Sequence, residues 1–194
     1  MMSLKELFLK NRSYRRFYQD ETIDTGVLKE MIANARITPS PSNLQPLKFI
    51  IVNDPEMNRK IFPLLKWAGF LKDWNGPGEG ERPSAYIIML GNRQISTHLE
   101  WDFGIALQTI LLTATEKGLG GCAIGSCDRD KLQQLLDIPK NLEIGCVISL
   151  GKPKEKVVLE EVKDDDIKYW RDEDNVHHVP KRSLEDLILK IVTA

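Results

Sequence analysis

Cysteine and histidine are scarce, three of each in 194 residues, and neither is spaced for metal or disulfide chemistry. Cys122, Cys127 and Cys146 are odd in number and form no CxxC pair. They read as reduced thiols, two of them buried, and exclude a disulfide or zinc framework. His98, His177 and His178 lack metal-ligand spacing, so no metal site is expected. HExxH, Walker A and GxSxG sequences are all missing, as is a Cys/His pair of recognisable spacing. Hydrolytic nucleophile chemistry therefore has no support. Long apolar runs are missing too. No stretch approaches the roughly 18 residues of a membrane span, and the opening "MMSLKELFLK" has no apolar signal-peptide core. The expected location is cytoplasmic, with no membrane partner. Net charge is likewise small: 27 basic against 28 acidic residues leave −1. A nucleic-acid binder would carry a broad basic excess, so no nucleic-acid partner is expected.

What remains is an ordinary globular composition, 42% hydrophobic and 28% charged. The length suits one domain over residues 1–194. Ser3 and Glu6 form a capping box before a short helix carrying Leu4, Leu7 and Phe8. Residues 27–37 repeat the helical pattern and end at a Pro-Ser run. "KFIIV" (48–52) reads as a strand, and Asp54-Pro55-Glu56 opens a helix. "AYIIML" (85–90) is a buried strand, and residues 99–117 form a helix apolar on nearly every face, fit for a core or a subunit interface. Asp128 caps a further helix, 142–151 is a strand, and Ser183 starts a last helix running through Ile191. Residues 152–182 are polar and without period. So long a loop is uncommon in a compact domain, and the segment is expected to be an arm over a partner subunit. Strands are too few for a doubly wound sheet. The expected class is α+β, a sandwich with a central mixed β-sheet flanked by helices.

Two segments invite a functional reading. "KNRSYRRFYQD" (10–20) gathers Lys10, Arg12, Arg15 and Arg16 around Ser13. It is either a solvated basic turn or an anion site, since Arg-Ser-x-Arg offers guanidinium forks and a hydroxyl that match phosphate. "TPSPSNLQP" (38–46) joins a helix to a strand, stiffened by prolines and rich in amides and hydroxyls. It is either a plain turn or a polar ligand loop. A third candidate fails. "GLGGCA" (118–123) fits the loose G-x-G-x-x-A pattern but follows a helix, whereas a dinucleotide fingerprint follows a strand and opens a helix. It reads as a helix C-cap at Gly118 and a turn into a strand.

Arg12-Ser13-x-Arg15, then Pro39-Ser40-x-x-Asn43-x-Gln45-Pro46, resembles the nitroreductase family of flavin enzymes. The order continues with Asp102 at the start of the apolar helix, Gly118-Leu119-Gly120, Ile124-Gly125, Ile138-Pro139, Gly151 and a basic Pro180-Lys181-Arg182. The resemblance implies an FMN-dependent NAD(P)H oxidoreductase, a homodimer with flavins at the subunit interface. It implies that hydride from NADH or NADPH reaches flavin N5 and that electrons pass to a small nitroaromatic, quinone-like or related acceptor by a ping-pong mechanism. Arg12, Ser13 and one of Lys181 and Arg182 would approach the phosphate, and Arg15 the N1–C2 edge of the ring. Pro39, Ser40 and Asn43 would come from the other protomer, and the backbone at Ile124 and Gly125 would approach N5. No side-chain nucleophile is implied. Leu47 and Ala123 depart from the family's commoner residues, which bears on pocket shape, and Lys181 stands where arginine is usual, which leaves open which of the basic pair reaches the phosphate. The alternatives are a flavin-binding protein without turnover, or a relative using reduced FMN for dehalogenation or flavin fragmentation. Trp67, Phe70, Trp74 and the glycine-rich loop 75–83 either gate the substrate slot that the resemblance implies over the flavin face or simply pack.

Overall fold

In the computed structural model, which describes residues 2–193, helices and strands follow the order that the periodicity dictates. Helix α1 (Leu4–Lys10) begins at Ser3, and Ser3 and Glu6 close the reciprocal capping box. After strand β1 (Phe17–Tyr18), Asp24 caps α2 (Thr25–Arg36). Strand β2 (Leu47–Val52) leads into α3 (Pro55–Ile61), which has Asp54 as cap and a proline in its first turn. Strand β3 (Ala85–Asn92) is followed by the long α4 (Glu100–Glu116). Gly118, at φ +70°, turns the chain out of α4 and into β4 (Gly120–Ile124). Its N–H reaches the Thr115 carbonyl while the Leu119 N–H reaches Ala114, the expected helix stop. Then come α5 (Arg129–Leu135), capped by Asp128, and β5 (Leu142–Pro153).

Strands β3 and β5 are the middle of a five-stranded sheet, with β2 on the far edge of β3 and both β1 and β4 pairing with β5. All four strand pairings are antiparallel. The sheet is mixed only through an isolated parallel bridge between Ser13 and Gly121. That bridge lays the cationic segment along β4. The apolar run of β3 is buried on both faces, as a continuous run requires. Tyr86, Ile88 and Leu90 join one core cluster with Ile61, Leu132 and Val147. Ala85, Ile87 and Met89 join a second with Leu28, Met31, Ile110 and Ile148. Full burial of one such isoleucine stabilises by about 1.5–3 kcal/mol. Helix α4 packs close because Gly145 faces it. A Cβ there would lie 2.5 Å from the Phe103 ring.

Three details differ from the sequence reading. Residues 152–182 are not one long loop: β6 (Val157–Glu161), β7 (Trp170–Arg171) and β8 (His177–Lys181) form a second sheet. Strand β6 runs parallel to β8, and β7 antiparallel to it. These strands are too short, and too polar on their outer faces, to show a period. The last helix, α6 (Leu184–Leu187), stops four residues after its Ser183 cap. Its apolar residues and those beyond it, Leu187, Leu189 and Ile191 among them, lie exposed. A helix of this length needs an apolar face to pack on, and among the described residues Leu184 and Leu187 stay exposed rather than meeting one. Of the three free cysteines only Cys122 is buried, while Cys127 and Cys146 are partly buried and pack against the two core clusters.

Candidate functional site

The cationic segment and β8 face each other across a cleft of about 570 Å³. Its walls are Arg12, Ser13 and Arg15 on one side and His177, Val179 and Lys181 on the other, with Gln108 and Leu111 of α4 between. Three cations line it and no carboxylate does. Strand parity explains the second wall: residues 177, 179 and 181 alternate with 178 and 180 and share one face of β8. The same parity separates the C-terminal basic pair. Lys181 faces the cleft, whereas Arg182 falls outside it and pairs with Asp165 at 2.6 Å.

Arg12 is held by its Nη2, which donates to the Phe8 carbonyl at 2.5 Å. Its Nε is buried without a protein partner. Burial pulls the Arg12 pKa below the usual arginine range. Arg15 is buried and donates from Nη1 to the Ser13 carbonyl at 3.2 Å, with its guanidinium 4.8 Å from the Tyr169 ring centroid. Its backbone N–H goes to the buried Glu155, which also accepts from Arg16 N–H at 3.2 Å and from Arg171 Nη2 at 2.8 Å. Glu155 thus staples the cationic segment to the second sheet.

His177 is 1% exposed, and its Nε2 lies 3.1 Å from Arg15 Nη1. Burial first, then the charges of Arg15 and Arg171, lower its pKa to about 4. It is therefore neutral at pH 7. Phe70 packs on Tyr169 (5.0 Å) and Tyr169 on His177 (5.2 Å), an aromatic ladder at the edge of the cleft. Trp67, by contrast, is core, packed edge-on against Trp74. The loop 75–83 is tied down: Glu81 takes a two-pronged bond from Arg16 at 2.6 and 2.8 Å, and Gln19 accepts from Gly80 N–H at 2.8 Å. Arg16 and Lys154 hold the Glu81 carboxyl at about 2.

Pro39 and Ser40 are elsewhere. They line a more apolar cavity of about 500 Å³ with Ile32, Phe49, Ile51 and Asp102, and it shares no residue with the cationic cleft. Ser40 Oγ donates to the buried Asp102 at 2.6 Å, latching the Pro-Ser loop to the first turn of α4, and accepts from Gln45 N–H at 3.0 Å. Ser42, Asn43 and Gln45 hold φ between +50° and +54°, a left-handed cluster of non-glycine residues. Such strain concentrates at functional loops. Asn43 lines neither cavity. Ile124 ends β4 and Gly125 follows it, both outside the two linings, with the Ile124 side chain buried and the Gly125 carbonyl accepting from Arg129 Nη2 at 3.0 Å. One chain therefore brings together Arg12, Ser13, Arg15 and Lys181, and leaves Pro39, Ser40 and Asn43 apart.

The sequence reading missed Tyr169, His177 and Glu155. His177 had no local signal, since "HHVPK" does not alternate polar and apolar residues. Among the described residues, no group of histidine, cysteine and carboxylate side chains is placed for a metal ion, and no helix is long and apolar enough to cross a membrane.

A Nitroreductase family model matches residues 9–152. A protein of Archaeoglobus fulgidus provisionally named an NADH dehydrogenase/NAD(P)H nitroreductase is 30% identical over 157 residues, 77% of this chain and 85% of that one. An iodotyrosine deiodinase of Thermotoga neapolitana is 24% identical over 173 residues, covering 79% of this chain and 90% of its own. The fold is similar to that of a solved FMN-dependent nitroreductase from Clostridium difficile, with TM-score 0.65 and 22% identity over 84% of this chain and 92% of that one.

Proposed function

Since the chain belongs to the nitroreductase family, we propose that it is an FMN-dependent oxidoreductase that takes reducing equivalents from NADH or NADPH and passes them to a small organic acceptor. The observation that carries this reading is the cleft's lining of three cations and no carboxylate, beside apolar Leu111 and Val179. That lining fits a ligand with a phosphate at one end and a flat ring at the other. FMN, when bound, supplies two-electron exchange between nicotinamide and acceptor. The chain's own residues have separable tasks. Arg12, Ser13 and Lys181 would hold the phosphate, and the unpartnered Nε of Arg12 gives it a donor to spare. Arg15, fixed and buried, would present its charge to the ring edge, where negative charge grows on reduction.

A second copy completes the site in this reading. Helix α4 lines the apolar cavity with Asp102 and Ala106 and the cationic cleft with Gln108 and Leu111. From Asp102 to Leu111 is about 13 Å along the axis. Its outer face begins at Trp101, 72% exposed, one residue before Asp102, with Gly104, Ile105 and Gln108 following at helical spacing. Two copies crossing antiparallel on that face would set the Pro39-Ser40 loop of one against the cleft of the other.

The test is the visible spectrum of the purified protein before and after anaerobic NADH or NADPH, with chromatography of the released chromophore. Bleaching and released FMN are expected. FAD, or no flavin after reconstitution, defeats the proposal, and flavin that no nicotinamide reduces leaves a binder without turnover. The similarity to the Thermotoga deiodinase favours one second reading, reductive dehalogenation of a small halogenated aromatic, which a panel of halogenated and nitro acceptors separates from the first.

A further inference from the structure

Arginine can only donate, so the nitrogen 3.1 Å from Arg15 Nη1 must accept: His177 Nε2 carries a lone pair and the ring proton lies on Nδ1. This fixes both the tautomer and the charge of His177. No ion pair involves the Arg15 guanidinium among the described residues. The nearby carboxylate, Glu155, spends its two oxygens on the backbone N–H groups of Arg15 and Arg16 and on the Arg171 side chain. Arg15 is therefore oriented by three neutral contacts: the Ser13 carbonyl, the Tyr169 face and the His177 imidazole.

We propose that His177 is a positioning residue that locks the Arg15 guanidinium toward the cleft without neutralising it, so that the full charge is available to the ligand. An aspartate or glutamate in its place would orient Arg15 as well but cancel that charge. The groups facing His177 agree with a neutral ring. Arg15 and Arg171 repel an added proton, Tyr169 packs its face, and His178 on the same strand lies close enough to oppose protonation. Residue 177 lies beyond the stretch 9–152 that the family model matches, so the device belongs to the C-terminal sheet of this chain. The inference rests on Arg15 facing the bound cofactor in the reading above.

Three variants separate orientation from charge. His177→Gln keeps an acceptor and stays neutral, His177→Glu keeps an acceptor and adds a negative charge, and His177→Leu removes the acceptor. The readouts are the midpoint potential of bound FMN and its rate of reduction. Gln should leave the potential near that of the parent protein. Glu should lower it, and slow reduction by about tenfold or more, the scale of a lost charge-assisted contact. Leu should lower it to a lesser degree by loosening Arg15. Equal shifts for Gln and Glu, or none for Glu, overturn the inference while leaving FMN binding intact. Failure of the parent protein to load FMN overturns the functional reading, and this inference with it. Nitrogen-15 NMR of the flavin-free protein checks the first premise. His177 should show the Nδ1–H tautomer and titrate well below ordinary histidine; an Nε2–H tautomer or a normal titration defeats the proposal, whether or not the variants fold.

Discussion

Lys181 and Arg182 are neighbours with opposite prospects. Lys181 shares the inward face of β8, and Arg182 is already committed to Asp165 outside the cleft. Lys181→Ala is expected to weaken FMN binding by about tenfold or more, the range of a lost charge-assisted hydrogen bond. Arg182→Ala should change it less than about twofold, because an exposed ion pair contributes little. Fluorescence titration of both variants makes the comparison, and equal losses would return the assignment to open question. The same logic separates Arg12 from Arg15. Arg12→Ala should loosen FMN with little change in potential, and Arg15→Ala should lower the potential more than it weakens the oxidised complex. A redox titration in which Arg15→Ala leaves the potential untouched would remove Arg15 from the ring.

At the scale of elements, β8 carries two histidines with opposed electrostatics. His178 donates to or shares protons with Asp172 (3.0 Å) and Glu160, bonds that raise its pKa, while burial lowers that of its neighbour His177 to about 4. For His177 the unfolded chain binds the proton first, so stability falls as pH drops from the ordinary 6.5 toward 4. For His178 the folded chain holds the proton longer. Its contribution is complete below 6.5 and is lost as pH rises through the raised value. Amide protection in the β6–β8 sheet, measured as the opening free energy after division by the intrinsic exchange rate at each pH, should therefore be greatest near pH 6.5. His177→Gln should flatten the acid limb and His178→Gln the alkaline one; a monotonic profile would contradict this. Strand β4 allows a sharper test. A Cβ at Gly121 would stand 2.7 Å from the backbone oxygen of Ser149 and 2.9 Å from Leu111, and the backbone cannot yield as a side chain could. Gly121→Ala should destabilise by about 1–3 kcal/mol in denaturant unfolding. It should also weaken FMN binding, since Gly121 carries the bridge to Ser13.

For the whole molecule, the prediction concerns assembly. Trp101→Glu should convert the dimer of the proposed function to monomer in light scattering and release FMN with it; a flavin-loaded monomer would show that the cleft is sufficient alone. Much of this organisation was legible in the sequence. Continuous apolar runs marked β3 and α4, caps at Ser3, Asp54 and Asp128 marked helix starts, and Gly118 marked a stop. The cleft was half legible: its cationic wall is contiguous in sequence, so local composition announced it. Its second wall was not, because β6 to β8 are short and half-exposed and are tied to the cationic segment through Glu155, a long-range contact that no local pattern encodes. The shortened last helix failed for the complementary reason. Its pattern was apolar, but an apolar stripe needs a surface to meet.

The Glu155 staple has a consequence for how the protein is made. It joins position 15 to positions 155 and 171, so the cationic cleft is closed by contacts spanning most of the chain. While the ribosome is still translating the middle of the message, α1 and the cationic segment have emerged but their partners have not. Contacts of such sequence separation form late in folding, since loop closure precedes any reward. Every product of premature termination before residue 155 therefore carries the arginines with no pocket to place them in. Under the proposed function, flavin uptake becomes a readout of chain completion: a nascent chain stalled short of β8 should capture no FMN, however well its central sheet has formed.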